Sequence, residues 1–200
     1  MSRLSANARL PITWQACILY AVAFGGYVAF SVYLPSYLKT AYALDAADAA
    51  NRMGGFVVVA VVMRPIGGWL SDKFGPIPVL AGGYAVVVVG AGVASTTPLL
   101  EHIGTVAFLA MAAALGSGAG ATFALIAKVT DPARVGGVTG MVGAAGGLGG
   151  FVPPLIMGYF YGRTGSYAIG LVLLSVTAVL ALALTLTVVR RTSAQSVRPS

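Results

Sequence analysis

Long uncharged stretches alternate with short clusters of charged residues along this chain of 200 residues. A helix needs about 20 consecutive, mostly apolar residues to cross the hydrocarbon core of a membrane. Five stretches without any Asp, Glu, Lys, Arg or His exceed that length, namely 10–38, 74–100, 103–127, 135–162 and 164–189. A sixth apolar stretch, about 53–72, carries Arg64 in its middle. The pattern therefore predicts six transmembrane helices.

Glycine, proline and charged residues set the expected ends of these helices. The predicted helices cover about 12–37, 53–72, 77–96, 103–127, 135–161 and 166–189. Gly75 and Pro76 supply a helix stop and a new start in a very short connection, so the second and third helices are expected to be antiparallel neighbours. The segment DAADAANR is predicted to be an outer loop before the second helix.

No predicted connection reaches 20 residues, which leaves no room for a separate soluble domain. We expect an all-α membrane protein with a short cytoplasmic segment at 1–11, one six-helix bundle at 12–190 and a disordered cytoplasmic tail at 191–200. The first apolar stretch exceeds the 7 to 15 residues typical of a signal peptide, so it is expected to be retained as a helix.

Composition and charge agree with a membrane location. The chain is 58% hydrophobic and 8% charged, against about 25% charged residues in an ordinary soluble domain. Its net charge of +7 does not indicate nucleic-acid binding, because the positive residues alternate between two sides of the six predicted helices. One side receives Arg3, Arg9, Lys73, Lys128, Arg134, Arg190, Arg191 and Arg198, and the other receives Lys39, Arg52 and Arg163. By the positive-inside rule both termini are expected in the cytoplasm. The membrane itself is expected to be the plasma membrane.

Arg64 is the residue in the predicted helices that most needs an explanation. It precedes Asp72 by eight positions, about 12 Å along a helix, which is too far for its side chain to reach the headgroups easily. A guanidinium near the middle of a bilayer costs about 2.5–3.5 kcal/mol on insertion scales. All five acidic residues fall at or beyond predicted helix ends. Arg64 is therefore expected either to bind backbone carbonyls as a structural residue or to bind an anion that arrives from solution.

An aromatic stripe and a glycine seam are the next candidates for a binding site. Tyr20, Phe24, Tyr27 and Ser31 share one face of the first helix at i, i+4, i+7 and i+11. They could equally belong to the packed core or line a cavity with Arg64. In the fifth helix a seam of glycines recurs at steps of four and three, at Gly136, Gly140, Gly143, Gly147 and Gly150. Such a seam allows either simple helix packing or the close approach of a small ligand.

The segment GWLSDKFG, from Gly68 to Gly75, is either an ordinary helix stop or a gating latch. In the second interpretation the charges of Asp72 and Lys73 rearrange when the helices move.

Nothing in the sequence favours an enzyme, a cofactor or a metal site: it has no paired acids within the predicted helices, and its glycine-rich helix follows no strand that could begin a dinucleotide-binding fold. The one cysteine, Cys17, excludes a disulfide within the chain.

These motifs resemble those of a known family. GWLSDKFG is similar to the loop motif of the major facilitator superfamily, and RPIGGWLSDKFG together with GMVGAAGGLGGFVPP resembles the second half of the nitrate/nitrite porters. The resemblance covers about residues 12–190 and implies the C-terminal six helices of a twelve-helix transporter. It also implies that Arg64 binds nitrate and that Tyr20 and Phe24 lie beside it. Gly143, Gly146, Gly147 and Gly150 fall in the glycine signature of the family.

The resemblance implies transport of nitrate or nitrite across the bilayer by alternating access, with one substrate-binding arginine from each half of the transporter. This chain supplies one half, so the expected partner is a second six-helix half. Three forms stay open: a split transporter, a homodimer, or a truncated chain that does not transport. The alternatives in function are a carrier for another small anion of the superfamily, or a membrane subunit or remnant without transport.

Overall fold

The computed structural model describes residues 3–165 and 168–191, and that part of the chain is almost wholly helical. Two π-helical turns, Leu100–Gly104 and Thr185–Val189, extend neighbouring helices. In chain order the helices are α1 Arg3–Ala8, α2 Pro11–Tyr42, α3 Ala46–Phe74, α4 Pro76–Ser95, α5 Thr105–Val129, α6 Pro132–Thr164 and α7 Ala168–Leu184.

Six helical spans in the described residues are long and apolar enough to cross a membrane. The fifth helix, counted from the N-terminus of the bundle, is α6, and its span is the longest, at 33 residues. The prediction of an all-α membrane bundle of six helices is confirmed. Of the tail expected at 191–200, Arg191 is still helical, and residues 192–200 lie outside the described residues.

The prediction that DAADAANR forms an outer loop is wrong, because α3 begins at Ala46. Asp45 caps this helix, since its carboxylate accepts hydrogen bonds from the backbone N–H groups of Ala47 and Asp48 at 2.8 and 2.9 Å. Arg52 then binds Asp48 one turn away at 3.1 Å. A side-chain cap and an i, i+4 ion pair stabilise a polar first turn that resembles a loop in sequence.

The connection between α3 and α4 is the single residue Gly75, as the sequence predicts. Gly75 has φ +90°, a conformation that side chains other than glycine rarely adopt. Its N–H donates to the Ser71 carbonyl at 3.0 Å and ends α3, and Pro76 opens α4 without needing an N–H partner.

The bundle is built from two close helix pairs, α2 with α6 and α3 with α5, while α4 and α7 pack on each other and α4 also packs on α5. The helices differ strongly in burial: in an apolar stretch of 18 residues, 67% is buried inside the bundle for the span that contains α5, against 17% for α3 and 22% for α6. α5 is thus the central helix, and α3 and α6 present broad exposed faces.

Candidate functional site

Arg64 lies in the middle of α3, ten residues before its end at Phe74, or about 15 Å along the axis. This is half the thickness of a hydrocarbon core of about 30 Å. The backbone of α5 packs directly against α3 at this level. A Cβ on Gly120 would overlap the Arg64 carbonyl, and one on Gly116 would overlap the Ala60 carbonyl. The two glycines of α5 therefore fix the height of Arg64 in the bundle.

The guanidinium of Arg64 points from α3 toward the aromatic stripe of α2. Its Cζ lies 4.7 Å from the centre of the Phe24 ring and 4.9 Å from the centre of the Tyr27 ring. Both distances are within the range of cation–π attraction, which contributes roughly 0.5–2 kcal/mol per contact depending on solvation. The two rings thus offset much of the cost of placing a positive charge in the middle of the bundle.

The rings do not satisfy the hydrogen-bonding capacity of Arg64. Its Nε and Nη2 atoms are both buried and have no hydrogen-bond partner among the described residues. These two atoms carry three of the five N–H donors of a guanidinium. A buried donor without a partner costs about 1–3 kcal/mol. The arrangement therefore leaves a planar set of donors that an oxyanion would satisfy.

The rest of the aromatic stripe stacks behind Phe24. The Tyr20 and Phe24 rings are parallel, with centres 5.1 Å apart and an interplanar angle of 6°. Phe123 of α5 covers the other side of Tyr20, with ring centres 4.7 Å apart. Ser31, the fourth member of the stripe, instead donates to the Val28 carbonyl of its own helix. Three of the four stripe residues therefore form one wall of the Arg64 site.

α6 completes this wall through Gly146. A Cβ at this position would meet the rings of both Tyr20 and Phe24, so a larger residue would have to displace them. Three residues further, a Cβ on Gly149 would meet the backbone of Ala21, which brings α6 close to α2. Gly150 lies in the same interface, against Val28.

Gly143 and Gly147 have a different environment from the other predicted glycines. A Cβ on either would meet nothing within 4 Å among the described residues, and the same is true of Gly136 and Gly140. Of the five seam residues, only Gly150 packs against another part of the described structure. The seam that the sequence predicts is therefore an open face of α6, and the glycines that contact α2 are a neighbouring set.

No carboxylate accompanies Arg64. Asp45 and Asp131 cap α3 and α6, Asp48 lies in the first turn of α3, and Asp72 and Glu101 are exposed near helix ends. These are all five acids of the chain, and none of them pairs with Arg64 in the part of the chain that the structure describes.

The segment Gly68 to Gly75 contains no internal ion pair. In the described residues the one salt bridge joins Arg52 to Asp48. Lys73 instead lies over aromatic rings of its own helix, 5.5 Å from the centre of Trp69 and 5.2 Å from that of Phe74. A Cβ on Gly68 would meet nothing within 4 Å.

Two contacts around the site were not predicted from the sequence. One is that of Gly116 and Gly120 with α3, although their spacing of four residues is the small-xxx-small pattern of close helix pairs. The other is at Lys128 near the end of α5, whose Nζ donates to the Ser71 carbonyl of α3 at 2.7 Å. No sequence pattern indicates that second contact, because it joins residues far apart in the chain.

Comparisons with known proteins agree with this architecture. The sequence profile of the Major Facilitator Superfamily matches residues 16–200. The chain is 46% identical over 182 residues to the probable nitrate/nitrite transporter NarK2 of Mycobacterium tuberculosis, covering 90% of this chain and 46% of that protein. It is 36% identical over 177 residues to the nitrite extrusion protein of Bacillus subtilis, covering 88% of this chain and 44% of that protein.

The fold also matches a solved structure. The E. coli fucose:proton symporter FucP superposes with a TM-score of 0.75 at 20% sequence identity, over 98% of this chain and 45% of the symporter. This chain thus spans about half the length of the relatives it matches. The resemblance to the nitrate/nitrite porters is confirmed by the names of the two relatives, and the chain belongs to the Major Facilitator Superfamily.

Proposed function

We propose that this chain is the C-terminal half of a nitrate/nitrite transporter that works by alternating access, and that Arg64 binds the anion. Both named relatives carry nitrate or nitrite in their names. In this proposal Phe24, Tyr27 and Tyr20 form apolar walls around the bound anion. Nitrate and nitrite are flat oxyanions, so they can lie in the plane of the guanidinium and along the faces of the same rings, which suits a spherical ion less well.

The observation that carries the proposal is the pair of buried, unpartnered atoms Nε and Nη2 of Arg64. An arginine that served only to hold the helices together would use these donors on backbone carbonyls. Cation–π contacts with Phe24 and Tyr27 stabilise the charge but provide no acceptor for an N–H group in the plane of the guanidinium. An oxyanion in that plane supplies both the acceptor and the opposite charge.

A second six-helix half is the partner that this proposal requires. The exposed faces of α3 and α6 flank Arg64, and the open seam of α6, including Gly143 and Gly147, allows another backbone to approach closely. The second half is either a separate chain, a second copy of this one, or a part of a longer polypeptide. Rocking of the two halves about Arg64 would open the site to each side of the membrane in turn.

The position of the acids favours anion exchange over proton symport for this half. No carboxylate of the chain lies near the middle of a helix, so none is placed to carry a proton with the anion. Without a bound anion, closing the two halves would bury the Arg64 donors unpaired, which is costly. The empty site would therefore reorient slowly, and exchange of nitrate for nitrite would be favoured.

In the proposed topology both termini are in the cytoplasm of a cell whose plasma membrane holds the bundle. The ends of α3, α5 and α7 on that side carry Lys73, Lys128 and Arg190. The positive-inside rule favours this orientation. The segment Gly68 to Gly75 then faces the cytoplasm. There Asp72 is exposed and free to pair with the second half, as a gating latch would.

The test is substitution of Arg64 by lysine, which keeps the charge and removes the planar fork. The chain would be produced together with the part of NarK2 that it does not match, in bacteria that lack their own nitrate transporters. We expect at least a tenfold loss of nitrate uptake in Arg64→Lys. Arg52→Lys is the matched control, because Arg52 lies on the same helix but pairs with Asp48.

A second measurement does not need the other half. Nitrate at about 100 times its dissociation constant stabilises a protein that binds it by about 2.7 kcal/mol. Nitrate, but not chloride at equal ionic strength, is therefore expected to raise the melting temperature of the purified chain, and not that of Arg64→Lys. Equal effects of the two anions would favour a carrier for another small anion. Unchanged uptake in Arg64→Lys would disprove the role of Arg64.

A further inference from the structure

A recessed apolar cleft lies between α2, α6 and α7, on the side of α2 away from Arg64. Its volume is about 560 Å³, and its lining includes Trp14 and Ala29 of α2, Leu148 and Ile156 of α6, and Thr177 of α7. The cleft exists because α2 and α6 touch closely at Gly25 and Gly149, whereas α6 and α7 have few contacts with each other.

The cleft offers nothing to a polar ligand. None of the described residues that line it is charged. The hydroxyl of Thr177 donates to the Leu174 carbonyl at 3.0 Å, and the indole N–H of Trp14 donates to the Ala8 carbonyl at 2.8 Å. Because these donors are already used inside the chain, an occupant gains only from apolar contact.

The size and length of the cleft match a hydrocarbon chain. A methylene group is close in volume to a water molecule, about 30 Å³ in the liquid, so the cleft holds on the order of nineteen such groups. From Trp14 to Phe30 the lining extends along α2 for about 24 Å, most of a hydrocarbon core of about 30 Å. One acyl chain fills this space, whereas a transmembrane helix, about 10 Å wide, does not fit into it.

The cleft also faces away from the site and from the open seam. At about 100° per residue, positions nine apart on a helix point in opposite directions. On α2, Ala29 lines the cleft and therefore points away from Tyr20, which belongs to the Arg64 site. On α6, Ile156 lines the cleft and points away from Gly147, which belongs to the open seam. The proposed second half takes the Gly147 side, and the Ile156 side therefore remains in contact with lipid.

We infer that this cleft is a binding site for one acyl chain of a membrane phospholipid, retained more tightly than the lipids that surround the bundle. A bound chain would support the contact between α2 and α6 from behind, at Gly25 and Gly149, without touching the anion site. This inference concerns lipid binding and does not depend on which anion the protein carries.

The chain contains two tryptophans, and they provide an internal comparison. Trp14 lines the cleft and Trp69, on α3, does not, yet they are about equally exposed, at 57% and 60%. The chain would be purified in mild detergent as Trp69→Phe, which retains Trp14, and as Trp14→Phe, which retains Trp69. Phospholipids brominated on the acyl chain, which quench nearby tryptophan fluorescence, would then be added.

We expect quenching of Trp14 to saturate near one lipid per chain and to survive tenfold dilution into detergent, while quenching of Trp69 rises gradually and reverses. Thr177→Phe, which fills the cleft, is expected to weaken lipid binding at Trp14 at least fivefold. Val179→Phe, an exposed α7 position outside the cleft lining, is the matched control. Native mass spectrometry of the unmodified chain is expected to show one retained phospholipid.

Parallel, reversible quenching of the two tryptophans would overturn the inference, whatever the stability of the Thr177 variant. Protection of Trp14 from brominated lipid by an added second half would overturn it as well, because a protein surface would then cover the cleft. Neither outcome affects the Arg64 experiments, which measure nitrate and leave the cleft unchanged.

Discussion

Two glycine-rich helices in this chain look alike in sequence and differ completely in environment. In α5, Gly116 and Gly120 touch the backbone of α3, and any side chain there would overlap the carbonyls of Ala60 and Arg64. In α6, Gly143 and Gly147 have the same spacing and face open space. The first pair is used within the six-helix bundle, and the second is available for contact with something outside it.

The difference separates two requirements of a transporter. The α3–α5 contact sets the depth of Arg64 and brings the guanidinium over Phe24 and Tyr27. In the proposed transporter this contact would be rigid, whereas the open face of α6 would permit movement, because a small, smooth surface lets two bundles slide or rock while remaining in close contact. Glycine serves both purposes because it has no side chain in either interface.

The largest effect is expected from Gly120→Leu. The new side chain would begin inside the Arg64 carbonyl, and backbone atoms cannot move aside as a flexible side chain can. Overpacking of a core costs about 1–3 kcal/mol and more when backbone must shift. We expect this variant to lose its monodisperse peak in detergent chromatography, or to melt at least 10 °C below the unmodified chain. A melting temperature within 2 °C of it would contradict the close packing of α3 and α5.

Gly147→Leu sharpens the comparison, because it makes the same substitution on the open glycine face. Its side chain would meet nothing among the described residues, so we expect the isolated chain to be no less stable than the unmodified one, and up to about 1 kcal/mol more stable because leucine favours a helix more than glycine does. Nitrate uptake by the complete transporter is expected to fall at least tenfold, because leucine keeps the second half away. Normal uptake together with normal stability would show that the face is not an interface.

The contrast between α5 and α6 also shows which features of the fold and the site can be predicted from the sequence. Five uncharged runs and one apolar run that contains Arg64 predict the six spans, because length and hydropathy suffice for a membrane helix. The pairing of Arg64 with Phe24 was one of two interpretations that the residues left open, and the family resemblance favoured it. Which glycines are packed does not follow, since Gly120 and Gly147 belong to equally regular patterns and only the crossing of the helices distinguishes them. The start of α3 was missed because its cap, Asp45, lies in a polar cluster typical of loops.

The smallest effect concerns a helix end, where α6 and the α3–α5 pair also differ. α6 is capped at its start by its own Asp131, whose carboxylate accepts from the Ala133 N–H at 2.8 Å. The end of α3 instead receives a donor from another helix, because Lys128 of α5 binds the Ser71 carbonyl at 2.7 Å. The rigid pair is therefore joined at the Arg64 level by glycine contacts and about 10 Å further along by a charged hydrogen bond.

Lys128→Met keeps the length and apolar part of the side chain and removes this donor. A hydrogen bond from a charged group contributes about 1.5–3 kcal/mol, and the partial exposure of Lys128 favours the lower value. We expect the melting temperature to fall by about 3–6 °C, while Lys73→Met, whose ammonium lies over rings of its own helix, changes it by less than half as much. Equal effects would mean that the two lysines act only through their positive charge near the C-terminal ends of α3 and α5. The rigidity of the α3–α5 pair would then depend on its glycine contacts alone.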